Sequence, residues 1–103
     1  MDEARLESML ADATSHCYDA EEEFWAVFCA LGLNLSLPLQ CAVGGADATL
    51  VKLDEPASDP KAGVMAVIDR GGMEQTVHLA SIEAAGADWL AVYRHYANKA
   101  GLA

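Results

Sequence analysis

Asp19, Glu21, Glu22 and Glu23 place four carboxylates within five positions, directly ahead of the apolar run Phe24-Trp25-Ala26-Val27-Phe28. Carboxylate oxygens are what a hard cation such as calcium selects, and roughly six to eight oxygens complete its shell. Like charges crowded on one helical turn repel by about a few tenths of a kcal/mol per pair. The run therefore needs an offset, and there are two: the partial positive charge of a helix N-terminus or a bound cation. Successive helical residues point about 100° apart, so Glu21, Glu22 and Glu23 cannot all converge on one ion. Phe24 and Phe28 set the buried direction. Glu21 then leans toward the protein body, Glu22 and Glu23 fall on the flanks, and Asp19 stands at the helix entry. An ion held here needs further oxygens from loops, and Asp54, Glu55 and Asp59 lie in the one long loop, which Pro56 and Pro60 stiffen. Asp19 and Glu22 also have capping-box spacing. From the residues alone, capping with solubility accounts for the run more readily than calcium does, and calcium stays the lesser alternative. Nothing matches an EF-hand loop.

Other chemistries find less support. Cys17, Cys29 and Cys41 fall at equal intervals, with His16 beside the first, but the close Cys pairs of zinc knuckles are missing. Cys29 in an apolar helix and Cys41 in a strand read as small buried thiols. His78 and His95 are isolated, and packing is the expected role of His95 between Arg94 and Tyr96. There is no nucleophile elbow, P-loop or dinucleotide-binding glycine motif. Trp89, Tyr93 and Tyr96 read as core rather than a base-stacking platform, because few cations surround them. No enzyme is expected.

Sixteen acids against six bases give a net charge of −10 over 103 residues, and residues 1–23 hold eight acids and one base, Arg5. Such a field repels nucleic acid and anionic membrane and attracts cations or basic partners. A hydrophobic content of 53% argues against disorder, and no apolar run approaches the ~20 residues of a membrane span. The start has neither a basic nor an apolar leader segment, and three cysteines make a poor disulfide framework. A cytoplasmic protein is expected.

The elements that would position these residues can be read from periodicity and turn residues. Leu6, Leu10, Ala13 and Cys17 predict a helix over 2–17. A second helix begins at Asp19, with Phe24, Trp25, Phe28 and Leu31 as its apolar stripe and Gly32 as its stop; the two could also form one bent helix. Beyond Pro38, strands are expected at Leu39–Val43, 49–53, 64–69 and 75–80, separated by a turn over 44–47, a loop over 54–62 and a turn at Arg70-Gly71-Gly72. A last helix over 87–99 carries Trp89, Tyr93 and Tyr96 on one face and stops at Gly101. The expected fold is a single α+β domain, 1–103: an N-terminal helical unit, a small antiparallel β-sheet or barrel, and a C-terminal helix.

These residues together resemble a family. Cys17-Tyr18-Asp19-Ala20-Glu21-Glu22-Glu23, then Trp25 and Leu33-Asn34-Leu35-Ser36-Leu37-Pro38-Leu39, is similar to the N-terminal signature of the small acidic non-EF-hand calcium-binding proteins of heterocyst-forming cyanobacteria. Val77-His78-Leu79-Ala80-Ser81-Ile82-Glu83 resembles that family's Val-Pro-Leu strand end, and Asp88-Trp89 with Tyr93 and Tyr96 its terminal helix. Leu37 and Leu39 stand where the family has aromatics, and His78 where it has proline. The resemblance implies reversible calcium binding, for buffering or signalling, with Asp19, Glu21, Glu22 and Glu23 as the acidic run. Asp54 and Asp59 are the candidate loop ligands beside it. The alternative is an acidic interaction module that binds a basic protein partner or associates with itself.

Overall fold

The structure, a computed structural model, describes residues 2–102. Helix α1 spans Glu3–Ala13 and opens with Asp2, whose Oδ1 accepts the Arg5 N–H at 2.8 Å. It ends earlier than the pattern predicts. Both the backbone N–H and the hydroxyl of Thr14 donate to the Leu10 carbonyl, which closes the last turn and leaves Cys17 in the connection. Helix α2, Ala20–Asn34, is therefore a separate helix. Gly32 does not stop it: the helix continues to Asn34, whose side-chain amide donates to the Ala30 carbonyl, and Leu35 caps it. Its buried residues are Phe24, Val27 and Leu31, while Trp25 and Phe28 are half-buried and meet edge to face. The buried stripe is thus rotated from the expected one, with Val27 at its centre in place of Phe28.

Five strands follow: β1 Leu39–Val43, β2 Ala46–Leu53, β3 Met65–Arg70, β4 Met73–His78 and β5 Ile82–Glu83. Their order is β4-β3-β2-β1-β5 and every pairing is antiparallel. The sheet is open, with β4 and β5 at its edges, so the barrel alternative is corrected. The β1–β2 turn is tighter than expected. Gly44 and Gly45, with φ of 61° and 83°, form a two-residue connection, and Val43 pairs directly with Ala46. Gly71-Gly72 does the same between β3 and β4. The expected strand over 75–80 lies two residues earlier. The chain then turns through a 3-10 segment, Leu79–Ser81, that buries Leu79 and lets its N–H donate to the Val64 carbonyl. β5 has two residues, too few for period-2 alternation to reveal.

Helix α3, Asp88–Ala100, packs against α1, α2 and the 3-10 segment and ends at Gly101, φ 74°. Phe24, Leu31, Leu50, Ile68, Leu79, Ile82 and Tyr93 form the centre of the core between helices and sheet. Tyr93 is held by more than packing. Its hydroxyl accepts the Val64 N–H at 2.8 Å, satisfying a donor that burial would otherwise orphan. The chain is an α+β fold of three helices and one antiparallel sheet. Among the described residues no helix is long and apolar enough to cross a membrane.

Candidate functional site

The acidic run stands at the start of α2, and its four members do different things. Asp19 is the N-cap: its Oδ1 accepts the Glu22 N–H at 2.8 Å, and Glu22 Oε2 accepts the Tyr18 N–H at 2.9 Å. The first bond satisfies one of the donors that a helix start leaves open; the second reaches one residue past the cap, to Tyr18, and not to the Asp19 N–H of a reciprocal capping box. Glu21 is exposed and does not lean into the protein. Rotation of the buried stripe toward Val27 brings Glu23 inward instead. Glu23 is half-buried and lines a cleft of about 420 Å³ between the helices, together with Glu7, Leu10, Thr14, Tyr96 and Lys99. Burial pushes the Cys17 thiol up, and the charges of Glu22, Glu23 and Asp19 push it further, so this cysteine is a weak nucleophile.

The loop acids are engaged in their own turns. Asp54 Oδ1 accepts the Ala57 N–H at 3.2 Å, and its Oδ2 accepts from the Thr76 hydroxyl at 3.4 Å. Asp59 Oδ1 accepts the Ala62 and Lys61 N–H groups at 2.6 and 2.8 Å, and these two bonds hold its carboxyl below the ordinary range. Asp19, Glu21, Glu22, Glu23, Asp54 and Asp59 form no three-ligand group with one another among the described residues.

Three ligand-bearing side chains do come together elsewhere. Glu3, Glu7 and His95 each place one ligand atom within 4.8 Å of the other two. His95, expected as a packing residue, is only 14% exposed in its side chain, and its Nε2 lies 2.7 Å from Glu7 Oε1. Lys99 Nζ approaches both Glu7 oxygens, at 3.0 and 3.2 Å. The hydrogen bond to His95, followed by that to Lys99, lowers the Glu7 carboxyl from its usual value. Both halves of this seam have helical spacing in the sequence, Glu3 with Glu7 and His95 with Lys99. The pairing of α1 with α3 that joins them has no local signal. Of the three cysteines, Cys41 is buried as expected, but Cys29 is exposed, because the turned stripe of α2 leaves it on the outer side.

No protein-family model, curated protein or solved structure matches the chain.

Proposed function

We propose that the protein binds calcium reversibly, as a buffer or signalling protein, and catalyses no reaction. One observation carries this reading. In the acidic run the helix start uses the side chains of Asp19 and Glu22, while the carboxylates of Glu21 and Glu23 make no hydrogen bond or ion pair among the described residues. Capping therefore explains half of the run and leaves two carboxylates without a partner, Glu21 toward solvent and Glu23 toward the cleft, in a segment that is already strongly negative. The sequence resemblance described above supports the same reading, and the α+β fold is compatible with it. In this account Glu21, Glu23 and the free oxygens of Asp19 and Glu22 attract the ion, and Asp54 and Asp59 order the long loop. A site of so few protein ligands is expected to be weak, in the range about 10⁻⁴–10⁻³ M of extracellular-type modules. Isothermal titration of chelator-treated protein with calcium, with the melting temperature followed in parallel, tests it. Saturable heat and a rising melting temperature are expected; neither, up to millimolar calcium, overturns it.

A second reading, an acidic module for a basic partner, joins the charge of the same acidic run to an apolar surface near the far end of α2. Leu33 is 86% exposed and borders a shallow groove with Met9, Ala30 and Trp89, beside Asp12. Under that reading, replacing Glu21, Glu22 and Glu23 with Gln makes partner binding less sensitive to salt.

A further inference from the structure

We propose that Glu3, Glu7 and His95 form a separate cation site, suited to a divalent transition metal of zinc type, which staples α1 to α3. The donor set points to the metal class. Calcium takes oxygens almost alone, whereas one imidazole nitrogen with two carboxylates suits zinc, cobalt or manganese. The geometry is close to what such an ion needs. Ligands about 2.1 Å from a tetrahedral metal lie roughly 3.4 Å apart, and a fourth position stays open for water. The three ligand atoms here lie within 4.8 Å of one another. His95 Nε2 and Glu7 Oε1, 2.7 Å apart in a hydrogen bond, must part slightly to admit the ion, and small rotations of the exposed Glu3 and half-exposed Glu7 complete the set.

The parts that must stay still are the ones held by the fold. His95 is the most buried of the three and lies on α3 between Arg94, bonded to the Ile82 carbonyl at 2.7 Å, and Tyr96, packed on the core. Glu3 and Glu7 lie one helical turn apart on α1, whose start Asp2 caps. Two like charges at that spacing repel, and a bound dication removes the repulsion. Lys99 competes for Glu7 in the metal-free protein. It is 56% exposed and can swing into solvent, and exposed ion pairs of this kind hold weakly. The metal would replace one cation by another without burying new charge. The site is distinct from the calcium reading: it uses none of Asp19, Glu21, Glu22 or Glu23.

Cobalt and zinc, added to chelator-treated protein, test the proposal. Zinc is expected to raise the melting temperature, and cobalt to give visible d–d absorption without the near-ultraviolet thiolate band that cysteine ligation produces. Glu3→Gln removes a carboxylate that makes no hydrogen bond among the described residues, so the fold should persist while zinc affinity falls about tenfold or more. His95→Ala should abolish the zinc response and leave any calcium response intact. A zinc response unchanged in Glu3→Gln and His95→Ala overturns the site. So does a cobalt spectrum with a thiolate band, or no metal-dependent rise in melting temperature at all.

Discussion

In the first turn of α2 the polar side chains close their bonds within a few residues: Asp19 to the Glu22 N–H, Glu22 to the Tyr18 N–H. Along α3 they reach across the molecule. Tyr93 takes the Val64 N–H, Arg94 donates to the Ile82 carbonyl, and His95 and Lys99 both meet Glu7 near the opposite end of the chain. The difference separates charge density from convergence. A dense run of acids at a helix start is partly used by the backbone beside it, and its members point around the helix axis. Scattered single residues on α3 gather partners because that helix packs on α1, α2 and the 3-10 segment at once. Local polar groups set where a helix begins; distant ones set how the helices sit on the sheet.

Gly63→Ala should break the distant side hardest. Gly63 has φ 93°, and a Cβ there would stand 2.8 Å from the Tyr93 hydroxyl. Strained backbone and a displaced Tyr93 together should cost at least about 2 kcal/mol in denaturant unfolding. A loss well below that would show that α3 does not depend on this anchor.

Tyr93→Phe should come next, at about 1–3 kcal/mol, since the buried Val64 N–H is left without an acceptor. The same residue predicts a pH effect. Burial pushes the Tyr93 phenol above its ordinary value of 10.0. The folded state thus holds that proton more tightly than the unfolded chain, and its contribution is complete below about pH 10 and is lost as pH rises through the raised value. In Tyr93→Phe that part of the alkaline fall in melting temperature should disappear. An identical alkaline profile in both proteins would remove Tyr93 as its source.

How much of this could be read beforehand follows the same division. The Asp19 cap, the Gly101 stop, β1 and the two Gly-Gly turns were legible, because each depends on residues a few positions apart. The end of α1 was not, since the Thr14 bonds to Leu10 compete with an apolar pattern that runs on to Cys17. The inward position of Glu23 was hidden too. It follows from Val27 rather than Phe28 facing the core, a choice made by packing and not by periodicity. The seam of Glu3, Glu7, His95 and Lys99 had readable halves and an unreadable join.

On the local side, Asp19→Ala should cost about 1 kcal/mol and Asp19→Asn much less, because asparagine can still accept the Glu22 N–H. Equal losses would assign the role of Asp19 to charge rather than capping. The smallest effect on folding is expected from Glu21→Gln, at an exposed residue whose carboxylate makes no hydrogen bond among the described residues. Its melting temperature without calcium should match the parent, while its calcium response weakens. A clear change in metal-free stability would mean that Glu21 is part of the helix start after all.

The most direct test is residue-resolved: amide chemical shifts of the chelator-treated protein followed through a calcium titration. Saturable shifts centred on residues 18–24, absent in a Glu21→Gln/Glu23→Gln variant, are predicted. No saturable shifts up to millimolar calcium, or shifts confined to the Glu3, Glu7 and His95 seam, would contradict the calcium reading of the α2 start.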